Sequence, residues 1–251
     1  MKGIAAVVLA LGGGAAALMA VPSEVTIGSY STSLAERSNS QRHNARLALG
    51  HLVGALIGPG ETFSFNGRVG SFSRDMGYRK APVSYNGQLI DDWGGGVCQT
   101  STTLYNAALL AGMQIVERNR HRFQPSYVPP GRDAAVAFSN IDLKFKNPYS
   151  YPVRIEGQVE GSRLVLKLVG PRRAKAGAEV VSIVKELREP MTFELGDQEG
   201  RRRIRNSGKV GYDVTVMRIS GDRREMISHD NYPAMNRVVE IKGSGPAAES
   251  L

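Results

Sequence analysis

The sequence predicts an α+β protein: a mixed α/β body with a helix beginning at a cysteine motif, followed by a β-rich C-terminal part. Three observations carry that expectation. Apolar residues recur at helical spacing in two stretches, near residues 45–56 and 103–111. Elsewhere they alternate in short runs, and glycine and proline breaks such as Gly58-Pro59-Gly60 and Pro129-Pro130-Gly131 cut the chain into short pieces. With 251 residues, 41% of them hydrophobic and 22% charged, the chain has enough apolar surface for a real core. That composition excludes wholesale disorder and a fibrous repeat.

Four segments are expected, namely a leader over 1–22, a body over 23–170, a β-rich extension over 171–243 and a disordered tail over 244–251. Met1-Lys2 precedes a run, Gly3 to Val21, that contains no charged or polar side chain. Such a run reads as an export signal, with an uncleaved membrane anchor as the alternative. Gly12, Gly13 and Gly14 lower its helix propensity and weigh against the anchor. The expected location is the periplasm, the cell wall or the outer face of the cytoplasmic membrane. Membrane contact is expected through this segment.

Beyond the leader, residues 23–36 alternate loosely and predict a strand. Ser38, Asn39 or Ser40 can cap a helix that carries Ala45, Leu47, Ala48, Leu52, Ala55 and Leu56 and stops at Gly58-Pro59-Gly60. Glu61 to Phe65 predicts a short strand with Phe63 and Phe65 on one face. Hairpins or turns are expected over 66–93, including runs at 81–85 and 88–90. A second helix follows Gly94-Gly95-Gly96 and ends near Gly112. Further strands are expected at 114–116, 134–138, 141–145, 153–159 and 164–169, and strands alternate with turns from 171 to 241.

The stretch GGGVCQTSTTLYNAALLAGM, residues 94–113, carries the most chemistry. A thiol in the first turn of a helix feels unpaired N–H groups and the positive end of the macrodipole, which favour the thiolate. Cys98 is therefore the candidate nucleophile. Gly95 and Gly96 allow close approach of a substrate carbonyl, and Gln99 or nearby backbone N–H groups would stabilise an oxyanion. His121, in the basic run after the next strand, is the candidate base, with His43 as second choice; His51 reads as a packing residue and His229 as exposed. Asp133 or Asp142 would orient the imidazole, and spacing does not choose between them. Arg118 and Arg132 are candidates for binding an anionic substrate group. A cysteine beside glycines also serves simply as a tight packing position. Tyr105, Leu104 and Leu109 read as core, and burial is the default for Trp93.

Lys plus Arg number 32 against 23 for Asp plus Glu, a formal charge of +9, which favours anionic partners. An exported basic chain points to cell-wall peptide or an anionic envelope polymer. Nucleic acid is not expected, because no zinc module, RNP motif or basic helix accompanies the arginines. One cysteine excludes an internal disulfide and a multi-cysteine zinc site, no metal-ligand spacing is present, and no cofactor is expected.

Pro59 to Asn66 (PGETFSFN), GGGVCQTSTTLYNAALLAG (94–112), IVERNRH (115–121), SYVPPGRDAAV (126–136) and DLKFKN (142–147) resemble, in order, the VanW family of bacterial envelope-associated proteins. GKVGYDVTVMR (208–218) and Asp230-Asn231-Tyr232-Pro233 are similar to a segment that often follows in that family. The family takes its name from a glycopeptide-resistance gene cluster, so the resemblance implies an envelope role connected with peptidoglycan. Cys98, Gln99, His121, Arg132 and Asp133 fall on matching positions. The resemblance brings no reaction with it, and their roles are inferred from chemistry, with Arg132 as receptor for a peptide carboxylate. Two functions follow: acyl transfer or amide hydrolysis at Cys98, or a non-enzymatic module that holds wall polymer or a protein partner while Cys98 only packs.

Overall fold

The computed structural model describes residues 24–85, 88–138, 140–171, 178–196 and 200–242. The expected leader over 1–22 and tail over 244–251 lie outside the described residues. The chain is mixed and strand-rich. In the body, strand β1 (Glu24–Ser33) leads into helix α1 (Asn39–Leu52), strands β2 (Leu56–Ile57) and β3 (Thr62–Ser64), and the short helix α2 (Phe65–Val69). Strands β4 (Lys80–Tyr85) and β5 (Gln88–Trp93) pair as a hairpin before helix α3 (Val97–Leu110). Strands β6 (Gln114–Glu117), β7 (Lys144–Lys146), β8 (Val153–Glu160) and β9 (Arg163–Pro171) follow. The last six strands are β10 (Glu179–Arg188), β11 (Thr192–Gly196), β12 (Arg201–Lys209), β13 (Gly211–Ser220), β14 (Arg223–Tyr232) and β15 (Met235–Lys242).

Local chemistry sets the helix boundaries. Ser38 caps α1 in a reciprocal box: its hydroxyl accepts the Gln41 N–H at 3.2 Å, and Gln41 Oε1 accepts the Ser38 N–H at 3.1 Å. The helix stops at Leu52, short of the expected Gly58, because Val53 is extended and Gly54 takes a positive φ of 82°. Ala55 and Leu56 therefore belong to the turn and strand that follow. Phe65 opens α2 instead of closing β3, with Ser64 as its cap. The expected strand at 134–138 is an extended segment held by isolated bridges at Ala135 and Ala137.

The body's main sheet runs β1-β9-β8-β2, antiparallel throughout, and a second sheet runs β3-β7-β6. Helix α3 is the centre of the core. Leu104, Tyr105, Ala107, Ala108 and Leu109 are all fully buried, as are Ile155, Leu164, Leu166 and Leu168 from the sheet. Strand β1 lies directly on α3, and Gly28 permits this. A Cβ at Gly28 would stand 2.4 Å from both the Ala107 carbonyl oxygen and the Ala111 nitrogen, neither of which can move aside. Gly28→Ala is expected to cost about 2–3 kcal/mol through overpacking, read as a lower urea midpoint with unchanged slope.

The C-terminal strands form two three-stranded sheets, β10-β13-β14 and β11-β15-β12, with β11 parallel to β15. They are tied to the body near α3: the Ala178 N–H donates to Leu110 O at 2.8 Å, and Arg218 Nη1 donates to Met113 O at 2.6 Å. No helix among the described residues is long and apolar enough to cross a membrane.

Candidate functional site

The site is built on α3 and on the extended segment Arg132 to Val136, which runs antiparallel along it. Asn106 Nδ2 donates to Arg132 O at 2.7 Å, Thr102 Oγ1 accepts the Ala134 N–H at 3.0 Å, and Cys98 Sγ faces Val136 O at 3.4 Å. The match is geometric: four helical residues rise about 6 Å, close to the roughly 6.7 Å of two extended ones. Polar side chains at positions 98, 102 and 106 therefore meet every second residue of the neighbouring chain. Ser101 adds a bond to Ala134 O at 2.7 Å. Alternation in the extended segment then sends Asp133 to the side opposite Arg132 and Ala134.

That opposite side faces the chain beyond β6. Asn119 and Ala135 form an antiparallel bridge, with the Ala135 N–H donating to Asn119 O at 2.7 Å. Two residues on from that bridge, in opposite directions, stand His121 and Asp133. Asp133 Oδ2 accepts the His121 backbone N–H at 2.7 Å and lies 2.6 Å from its Nδ1. With Nδ1 committed to the carboxylate, Nε2 is the nitrogen left for the sulfur, and the ring stands close enough to Cys98 for each group to bias the ionisation of the other. Cys98, His121 and Asp133 thus form one group. Cys98 is partly exposed, the His121 side chain is 20% exposed, and that of Asp133 is sealed.

Behind Asp133 stands Arg118, its side chain 6% exposed. Arg118 Nε donates to Asp133 O at 2.6 Å, and Nη2 donates to Asp133 Oδ1 at 3.0 Å. Nη1 donates to both oxygens of Asp230 at 2.7 Å. The Tyr232 hydroxyl donates to Asp133 Oδ1 at 2.5 Å. Asp230 and Tyr232 come from β14, so the C-terminal strands supply the back wall of the Cys98 site.

These contacts set the charges. Burial opposes ionisation of Cys98, but the hydrogen bond and positive charge of His121 bring its pKa below the ordinary thiol value. The Val136 carbonyl cannot be the cause, because an acceptor facing the sulfur favours S–H. Burial likewise opposes charge on His121, yet Asp133 and Cys98 raise it to about 10. Asp133 is held down to about 2, against its burial, by His121 and Arg118. Both shifts favour the thiolate–imidazolium form of the pair. Tyr127 is near as well; burial and the Cys98 charge raise its pKa, so its phenol stays neutral.

The other residues singled out in the sequence lie elsewhere or are already engaged. Asp142 does not reach His121: it accepts from Ser64 Oγ at 2.6 Å and the Asn66 N–H at 2.9 Å, fastening β3 and α2. Gln99 is 2% exposed; its Nε2 donates to Thr32 Oγ1 and Ser33 O, and its Oε1 accepts from Arg37, so its amide is spent on β1 and not offered to an oxyanion. Arg132 is 6% exposed, its Nε on Asn106 Oδ1 and its Nη1 on Val180 O, out of reach of a peptide carboxylate. Arg118 is equally committed to Asp133 and Asp230.

Gly95 and Gly96 are explained by packing. A Cβ at Gly95 would meet Ala81 O at 2.7 Å, and at Gly96, where φ is 108°, Gln41 O at 2.4 Å. Their α-carbons face the protein's own backbone and not an open pocket. His43 bonds Gly77 O at 2.9 Å, and His229 lies in β14, half exposed, beside Thr215 and Asp213. Trp93 is 36% exposed at the end of β5. Thr102, Tyr127, Asp230 and Tyr232 are the additions of the tertiary structure; the spacing of Cys98, Thr102 and Asn106 along one helix face was the available signal for the first.

A family model described as VanW like protein matches residues 40–169. The chain is 40% identical over 151 residues to the uncharacterized protein YoaR of Bacillus subtilis, covering 60% of this chain and 50% of that protein. It is 30% identical over 138 residues to the vancomycin B-type resistance protein VanW of Enterococcus faecalis, covering 53% of this chain and 50% of that protein. The chain thus spans about half the length of the curated relatives it matches. No solved structure matches it.

Proposed function

Because the chain belongs to the VanW family, we propose that it works at the bacterial cell envelope as a cysteine-dependent acyltransferase or amidohydrolase on wall peptides. The observation that supports this most directly is the grouping of Cys98, His121 and Asp133, in which His121 favours the thiolate and Asp133 holds the imidazole at 2.6 Å. The resistance named for the Enterococcus faecalis relative fits a wall-peptide substrate, and the apolar run at Gly3 to Val21 fits export.

In the proposed reaction the Cys98 thiolate adds to a peptide carbonyl, and the electron pair moves onto oxygen. Collapse of that oxyanion breaks the C–N bond, and the imidazolium Nε2–H gives its proton to the departing amine. The product is a thioester on Cys98. Water or an acceptor amine then attacks it while neutral His121 takes the incoming proton, and the thiolate leaves. Asp133 keeps the ring in one tautomer and orientation throughout.

Incubation with purified muropeptides, followed by intact-mass and chromatographic analysis, tests this. Wild-type protein is expected to gain an acyl adduct on Cys98 or to change the muropeptide profile, and Cys98→Ala to do neither. Unchanged wall turnover by Cys98→Ala would remove the nucleophile from the reading. Salt-sensitive retention on isolated walls, with no change in muropeptides, would favour a binding module instead.

A further inference from the structure

With Arg118 and Arg132 engaged inside the protein, the site needs another cation if its substrate is an anionic peptide. Arg37, in the loop between β1 and α1, has the required pose. Its Nε donates to Gln99 Oε1 at 2.9 Å, and Gln99 is the residue after Cys98. Gln99 can offer Arg37 only its oxygen, because its amide N–H groups are held by Thr32 Oγ1 at 3.0 Å and Ser33 O at 2.8 Å. The guanidinium also lies 5.2 Å from the centre of the Tyr127 ring. Tyr127 in turn lies beside Thr102, one helical turn beyond Cys98. Arg37 is thus pinned over the first turn of α3 by groups that flank the nucleophile.

The pinning uses Nε and the flat face of the guanidinium. Among the described residues Nη1 and Nη2 make no hydrogen bond, and no carboxylate lies within ion-pair distance of them. A partly exposed guanidinium with its forked edge unspent is matched to a carboxylate, which accepts two parallel N–H bonds from that edge. Lys209, at the end of β12, adds positive charge on the same side. Partial shielding from water and the charge of Arg37 lower its pKa.

We propose that Arg37 is the substrate-anchoring residue of this site, receiving a carboxylate of the peptide whose carbonyl is presented to Cys98. The proposal rests on Cys98 being the nucleophile. It assigns the substrate class as peptides with a free carboxylate near the bond attacked, and it replaces Arg132 in that role.

Two pairs of alkylating probes test it without knowledge of the natural substrate: iodoacetate against iodoacetamide, and N-iodoacetylglycine against its amide. In each reaction the thiolate displaces iodide, and the members of a pair differ only in a carboxylate, held at two distances from the reacting carbon. Wild-type Cys98 is expected to prefer the carboxylate member of at least one pair. Arg37→Gln should reduce that preference about tenfold, the loss of one charge-assisted contact, while the rate with the neutral member stays within about twofold. Arg37→Lys should fall between them, since it keeps the charge and loses the fork. An unchanged preference in Arg37→Gln at both spacings would overturn the anchor and leave the nucleophile standing, as would an equal loss of both rates. Absence of alkylation by either neutral probe would instead overturn the Cys98 reading on which the anchor rests.

Discussion

Asp133→Asn is expected to slow iodoacetamide alkylation of Cys98 at pH 6.5, by at most about a hundredfold, the limit set by an ordinary thiol, which with a pKa near 8.5 is only about 1% ionised there. In the native site His121 is raised to about 10 and Asp133 lowered to about 2. Wild-type reactivity should therefore persist to lower pH than that of a free thiol and change as His121 loses its proton through about 10. Removing the Asp133 charge returns His121 towards its usual range, and the rise in rate moves towards that of a free thiol. The same shifts give the pH dependence of stability. The His121 contribution is complete below its unfolded value of about 6.5 and is lost as pH rises through about 10. The Asp133 contribution is present above about 3.8 and is lost as pH falls through about 2. Asp142→Asn, at a carboxylate that does not touch His121, should leave the alkylation profile in place. Equal profiles for wild type and Asp133→Asn would show that the carboxylate does not hold the imidazolium.

The second large effect is on folding. Arg118→Leu should destabilise the protein by about 3–5 kcal/mol, because it leaves two buried carboxylates, Asp133 and Asp230, without their shared cation. Tyr232→Phe removes one hydrogen bond to Asp133 and should cost about 1–2 kcal/mol. Denaturant unfolding of both variants, monitored by circular dichroism, measures the difference. A loss under about 1 kcal/mol for Arg118→Leu would mean that water reaches these carboxylates and compensates them. Asp230 and Tyr232 lie in β14, so both variants also test whether the C-terminal strands are needed to hold the Asp133 end of the site.

Much of this was legible from local patterns. The helix after the glycine triplet, the buried Leu104, Tyr105 and Leu109, and the position of Cys98 in the first turn of that helix all follow from spacing and from helix-start signals. Where the expectation went astray, long-range contacts were the reason. Arg118, Arg132 and Gln99 have the composition of ligand-binding groups, but each is spent within the fold, on Asp230, Val180 and Thr32 respectively. The glycines at 95 and 96 look like a cradle for substrate, yet they give room to the backbone of Ala81 and Gln41. Helix α1 ends early because the positive φ at Gly54 turns the chain into β2 before the stronger-looking Gly58-Pro59-Gly60 break.

Residue types and spacings of a few positions suffice for the α+β class, the family resemblance and the cysteine at the amino end of a helix. Which of Asp133 and Asp142 meets His121 depends on the folded arrangement. A carboxylate orients an imidazole through contact at under about 3 Å, and that contact is set by the antiparallel bridge between Asn119 and Ala135 and not by separation along the chain. The same holds for the arginines: charge is written in the sequence, whereas the partner that uses it is chosen by packing.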